Sequence, residues 1–282
     1  MVKESLSLRI LDSPIVKDGI KAISKLEGYS VSAGHYLVVG GMAVQSYLPT
    51  FCRRPTADID LVVDRRLSNE REFRNFAKPV FEYLKDNGLK VEEVPNHNWE
   101  LLVKPKKHRN EYLPDDAILL SFPNISEEDY LKKKVIIEKE LRKSRVKQLE
   151  EGQGTHDYRV VSPEFIVIPK MARLGKVLMR NYKLKPLIVP YTTELTKEKI
   201  WDTIKNKVSD IKLSTLEKRI ICDAYDIRVL SEQTGFNEED VKDAITSWPE
   251  RLDLKSVLKN REIFSLLPKI KGLDFVLYSM QC

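Results

Sequence analysis

Cysteine, histidine and long apolar runs are all scarce in this 282-residue chain. The three cysteines, at 52, 222 and 282, are odd in number, far apart and form no CxxC pair. That argues against a disulfide framework or a cysteine zinc site and makes a reducing cytoplasm the expected setting. The four histidines, at 35, 97, 108 and 156, make no HxxxH or HxxE cluster, so no histidine metal site is expected. No apolar stretch approaches the ~18 to 20 residues that cross a bilayer. Met1 to Arg9 lacks the apolar core of an export signal, and no membrane association is expected.

What the chain does have is charge. Charged residues make up 32% and hydrophobic ones 42%, a globular profile with a dense polar surface. The 48 basic and 42 acidic residues leave a net charge of +6, which favours a polyanionic partner or a phosphate-bearing substrate.

The hydrophobic pattern predicts an α+β front and an all-helical rear. The first thirty residues read as helical, Tyr36-Leu37-Val38-Val39 as a buried strand, and Met42 to Tyr47 as a helix. Asp58 to Val63 alternates as a strand, and Asn69 to Asn87 repeats apolar residues at helical spacing. Strands are expected at Leu89 to Val94, Trp99 to Val103 and Ala117 to Phe122, with a short one at Val160-Val161. Ser126 to Glu150 reads as a charged helix. From Pro163 onward the pattern is helical, broken by a loop from Lys185 to Tyr191. The expected domains are 1–162, a mixed sheet flanked by helices, and 163–282, a helical domain contributing Lys170 and Asp223 to a cleft.

The chemistry is concentrated between Val39 and Val63. Asp58 and Asp60 stand two apart on a strand, so both carboxylates project from one face about 7 Å apart, while Ile59 enters the core. Such a pair suits a hard divalent cation, Mg²⁺ or Mn²⁺, whose shell is completed by phosphate oxygens. Gly40 and Gly41 open a helix at a strand end, where backbone N–H groups approach a triphosphate without a Cβ in the way. A lone DxD is usually a solvated strand edge and a lone GG a turn. Here they follow in order, with a helix between them and Arg54-x-Thr56 before the first aspartate.

Two later helices carry charges on faces that should be buried. Lys170 falls inside the arc of Val167, Met171, Leu174, Val177 and Leu178, with Arg173, Lys176 and Arg180 along its flank. A lysine there is either snorkelling at a rim or meeting an anion. Asp223 lies among Ile220, Ile221, Ala224, Ile227 and Leu230, with Asp226 at the arc's edge. Its partner is expected to be Arg219, one turn earlier, or Lys170.

The blocks GGMAVQSY…RRPTADIDL, SPEFIVIPKMARL and KRIICDAYDIRVL together resemble the AbiEii/MenT group within the polymerase-β-like nucleotidyltransferase superfamily, the toxin halves of toxin–antitoxin systems. The resemblance spans about residues 36 to 230. It implies a nucleotidyltransferase fold and transfer of a nucleoside monophosphate from a nucleoside triphosphate (NTP), in some members onto the 3′ end of tRNA. It also implies that Asp58 and Asp60 bind Mg²⁺, that Gly40 and Gly41 contact phosphate, and that Lys170 engages the nucleotide. Arg54, Thr56 and Arg173 are further nucleotide contacts, Asp223 an additional essential acid with Asp226 beside it, and a cognate antitoxin protein a partner.

One departure stands out. Many members of the superfamily carry a third carboxylate on a later strand, but the corresponding run Ala117-Ile118-Leu119-Leu120-Ser121-Phe122 has none. Asp116 at its start and Glu100 on the neighbouring strand are the candidate substitutes. Basic runs at Lys104 to Arg109 and from Lys132 to Lys147 could hold RNA through its phosphates. Glu138, Glu140 and Glu150 in the second run equally fit a solvated mixed-charge face. The alternative to an enzyme is a non-catalytic nucleic-acid-binding protein that retains the fold.

Overall fold

A computed structural model describes residues 11–94, 98–106, 116–151, 154–181, 183, 185–186, 215–247, 256–257 and 259–266. The chain divides into two compact units, one of residues 1–46 and 55–162, the other of Tyr47–Arg54 and Pro163–Cys282.

The first unit is built on a seven-stranded mixed sheet. Its elements are α1 (Pro14–Ser24), β1 (Tyr36–Val39), α2 (Gly40–Tyr47), β2 (Asp58–Val63), α3 (Glu70–Phe76), α4 (Lys78–Asp86), β3 (Leu89–Val94), β4 (Trp99–Pro105), β5 (Ile118–Phe122), α5 (Glu127–Lys143), β6 (Arg145–Glu151) and β7 (Gly154–Val160). The strand order is β3-β4-β5-β2-β1-β7-β6. β2 runs parallel to β5 and β1 parallel to β7, while the other neighbours are antiparallel. One face of β2 and β5 is closed by α1, whose Gly19 lies against Ile59, Ile118 and Leu120. A Cβ there would stand 2.9 Å from the Ile59 Cδ1, so glycine lets the helix seat closely. Phe73 stacks on Trp99 and meets Phe122 edge-on, fixing α3 against the same sheet.

Two segments depart from the sequence pattern. The run from Asn69 to Asn87 is two helices, because Pro79 supplies no N–H and crowds the preceding turn. Asn69 caps the first by accepting from the Glu72 amide at 3.0 Å. The charged helix from Ser126 ends at Lys143, and Arg145–Glu151 pairs as edge strand β6 with Gly154–Val160. Arg145 and Lys147 therefore belong to a strand, not to the helix that carries Lys132 to Lys134.

The second unit centres on α6 (Pro163–Arg180), against which α7 (Thr215–Thr234), α8 (Glu238–Ser247) and α9 (Arg261–Leu266) pack. Buried Glu164 accepts from the backbone amide of Asn237, the residue that caps α8. Gly175 lets α6 approach Val257, whose Cγ1 would lie 2.2 Å from a Cβ at that position. No helix among the described residues is long and apolar enough to cross a membrane.

Candidate active site

Strand β2 has the alternation that its sequence demands: Ile59, Leu61 and Val63 are buried, while Asp58, Asp60 and Val62 are half-buried on the opposite face. Register with the neighbours then fixes what surrounds the two carboxylates. Val39, the last residue of β1, pairs with Asp60, so the chain leaves β1 beside the carboxylate and turns directly into α2. Gly40 makes that turn at φ +70°, a conformation that costs a residue with a Cβ about 1–2 kcal/mol. A Cβ at Gly40 would stand 2.7 Å from the Asp60 Oδ2. Glycine turn and carboxylate thus share one small volume at the N-terminal end of α2, the helix end that favours anions.

Thr56 is buried and donates from Oγ1 to the backbone oxygen and to the Oδ1 of Asp58, each at 3.3 Å. Across the sheet, Asp60 is in register with Ser121 of β5, and Ser121 with Glu100 of β4. Asp60, Ser121 and buried Glu100 therefore form a row on one face, Glu100 two strand spacings (about 10 Å) from Asp60. Ser121 accepts a hydrogen bond from the Asn98 amide at 3.2 Å. Asp116 lies before β5, five residues from Ser121, or about 16 Å of extended chain outside that row. Among the described residues no three His, Cys, Asp or Glu side chains are grouped so as to hold a metal ion. The pair alone fits a hard divalent cation on two counts: its donors are all oxygen, and Gly40 leaves open the volume beside Asp60 that a Cβ would fill.

The second unit collects the remaining candidates into a buried ionic network. Arg54 donates from Nε and Nη2 to the two oxygens of Asp226, at 2.7 and 2.5 Å. The Lys170 ammonium bridges Asp223 and Asp226, each at 3.0 Å. Arg173 grips both oxygens of Asp223 at 2.6 Å. Asp223 is 1% exposed and Asp226 not at all. Burial opposes ionisation of Lys170, but the carboxylates of Asp223 and Asp226 outweigh it and raise its pKa above the ordinary lysine value. Burial likewise pushes Asp223 up, and Lys170 and Arg173 more than reverse it, holding the carboxyl below its usual range. Arg54 is raised in the same way: Asp226 overcomes the cost of burial. Lys170, Asp223 and Arg54 are thus each held charged by their partners.

The sequence alternatives for Asp223 resolve onto α6, with Lys170 and Arg173 as partners, while Arg219 is exposed. What the pattern did not reveal is the Arg54–Asp226 pair, because 172 residues separate its members. It also gave no sign that Tyr47–Arg54 belongs with the second unit. Of the basic runs, Lys104 pairs with Glu92, Lys132 with Glu128 and Lys134 with Glu138. Residues 107–109 lie outside the described residues.

No family model matches this chain, and no curated protein matches it. Among solved structures it is similar to an antigenic nucleotidyltransferase-like protein from Paracoccidioides brasiliensis, at 15% identity. That likeness covers 89% of this chain and 95% of the other, with a TM-score of 0.43. A likeness at that identity and score assigns no residue a role.

Proposed function

We propose that the chain is a divalent-cation-dependent nucleotidyltransferase, with Asp58 and Asp60 holding Mg²⁺ or Mn²⁺ and the Gly40–Gly41 turn receiving NTP phosphates. The observation that carries this reading is the close approach of Gly40 to the Asp60 carboxylate, which joins a helix N-terminus to the carboxylate pair. When bound, the cation would polarise the phosphoryl oxygens and stabilise the leaving pyrophosphate. An acceptor oxygen attacks the α-phosphorus, its bond to phosphorus forms as the bridge to the β-phosphate breaks, and pyrophosphate departs. The acceptor proton needs a base. Ser121 stands in register with Asp60 and cannot serve as a carboxylate would, so Glu100 at the end of the row is preferred over Asp116. In the second unit, Asp223 holds Lys170 and Arg173, the two basic residues that the resemblance implies as nucleotide contacts.

The resemblance to the AbiEii/MenT group supports RNA, in particular a tRNA 3′ end, as acceptor, and the role of a toxin with a cognate antitoxin in the cytoplasm. The test is incubation with each α-labelled NTP, Mg²⁺ and total tRNA, with and without a chelator. Label transfer that falls about 10³-fold or more in Asp58→Ala and Asp60→Ala is expected, equivalent to roughly 4 kcal/mol of transition-state stabilisation. No transfer with any NTP, together with RNA binding equal in wild type and both variants, would instead establish the non-catalytic nucleic-acid-binding protein.

A further inference from the structure

Outside the carboxylate pair, the first unit holds a cavity at the place where β4 begins and β5 ends. Phe73, Asn98, Trp99, Glu100 and Asn124 are among its lining residues, and its volume is about 250 Å³. That is below the roughly 300–1,000 Å³ of most small-molecule sites and suits a single ring system. Its flat wall is fixed in place. The Trp99 indole stacks on Phe73 with ring centroids 5.1 Å apart and planes 4° from parallel, and its N–H donates to the Leu67 carbonyl at 2.8 Å. A ring held in this way has little freedom left to lose when a ligand ring is laid against it.

The polar edge of the cavity is made of amides. Asn98 donates from Nδ2 to the Ser121 hydroxyl at 3.2 Å and accepts at Oδ1 from the Asn124 backbone amide at 3.4 Å. A carboxamide has two N–H donors and an oxygen with two lone pairs, so each end of Asn98 keeps capacity for one more bond. The Asn124 side chain stands exposed next to it. An asparagine amide, with donor and acceptor in one plane, pairs bidentately with adenine. The charged lining residues are Glu93 and Glu100, both acidic, which disfavours a phosphate. Glu100 is buried and also ends the row Asp60–Ser121–Glu100, so the cavity adjoins the carboxylate pair on the same sheet. We propose that the cavity receives an unpaired, amino-bearing nucleobase of the acceptor, adenine foremost. The base edge meets Asn98 and Asn124, the ring lies against Trp99, and the sugar hydroxyls face Glu100. This rests on the nucleotidyltransferase reading and names the part of the acceptor that the first unit recognises.

The test begins on the full chain without NTP or metal, by titrating adenosine and following saturation-transfer NMR. Asn98→Ala and Asn124→Ala are each expected to weaken adenosine about tenfold, the loss of one bidentate pairing. Trp99→Leu should cost a similar factor through lost stacking. Purine riboside, which lacks the amino group, should bind the wild type about tenfold more weakly and respond little to Asn124→Ala. Asn124 is exposed, so its variant keeps the test open should Asn98→Ala unfold. An RNA with an unpaired 3′-terminal adenosine should displace adenosine, whereas the same end closed in a blunt duplex should not. Displacement by neither assigns the cavity to a free nucleoside. In the transfer assay, Asn124→Ala should raise the KM for RNA and leave kcat near wild type. Adenosine affinity equal in wild type, Asn98→Ala and Asn124→Ala, or no adenosine binding at all, overturns the inference even if label transfer occurs. Amide-dependent adenosine binding without transfer from any NTP keeps the nucleobase site and overturns the nucleotidyltransferase reading.

Discussion

The two units place their acidic pairs in opposite environments. Asp58 and Asp60 stand half-buried on a strand beside a glycine turn, whereas Asp223 and Asp226 are buried on a helix and gripped by Arg54, Lys170 and Arg173. In sequence both pairs look alike, two aspartates among apolar residues at the period of their element. Surroundings separate them. A buried carboxylate survives only if cations repay its desolvation, and those cations then define what it does. A half-buried pair stands where an incoming ion and substrate can reach it. On the proposed reading the β2 pair takes the cation, while the α7 pair, held by three cationic side chains, does structural work.

The strongest test of that division removes charge from the buried pair. Asp223→Asn leaves Lys170 and Arg173 with much of their countercharge gone, and it is expected to cost about 3–5 kcal/mol of stability, as loss of one member of a buried pair does. Denaturant unfolding measures it. The effect should depend on pH with a definite sign. Because the Asp223 pKa is lowered in the folded state, its contribution is fully present above the ordinary value of 3.8 and is lost as pH falls through the lower folded value. Lys170 is raised, so its contribution is present below 10.5 and is lost only when pH climbs through the raised folded value. The wild type should thus be flat near neutrality and weaken in acid, and Asp223→Asn should flatten that acid limb. An unchanged acid limb would mean that Asp223 is not held charged by its neighbours.

How far the sequence carried this picture follows from the range of each interaction. Strands β1 to β5 and helices α6 and α7 are legible because their period is local, and Ile59 entered the core as alternation demands. Burial of Lys170 and Asp223 was legible for the same reason, each sitting inside an apolar arc. The break at Pro79 was a local signal outweighed by the strong run of phenylalanines at helical spacing. β6 was hidden because Arg145-Val146-Lys147-Gln148-Leu149 alternates at the end of a helix of the same composition. The Arg54–Asp226 clamp was invisible, since nothing local to either residue points to the other.

A smaller effect probes the packing of the helical unit apart from its charges. Gly175→Ala would place a Cβ 2.2 Å from the Val257 Cγ1. Alanine is favoured over glycine in a helix interior by about 1 kcal/mol. A clash that deep outweighs the gain, and a net loss of about 1–3 kcal/mol is expected by overpacking. Thermal unfolding measures it, and adding Val257→Ala should restore stability to wild type or better. Restoration would show that this unit owes stability to close helix packing as well as to its ion pairs.

The smallest change in stability is expected where the proposed function is most exposed. Gly40→Ala forces a Cβ into a backbone at φ +70°, which costs about 1–2 kcal/mol. Its steric neighbour is the Asp60 Oδ2 at 2.7 Å, the tip of a side chain, while the Asp60 Cβ lies at an ordinary 3.5 Å. The carboxylate can rotate away, so little further stability should be lost. Rotation, however, moves one of the two oxygen donors from the position that makes the pair useful. Gly40→Ala should therefore melt only slightly below wild type yet bind Mn²⁺ several-fold more weakly, in line with losses of about 10-fold or more when a ligand's orientation is disturbed. Asp223→Asn should give the reverse, a large fall in melting temperature with Mn²⁺ binding preserved. If instead Gly40→Ala lost stability and kept Mn²⁺ affinity, the glycine would serve only the turn, and the distinction between the ligand-binding strand and the scaffolding helix would fail at its most specific contact.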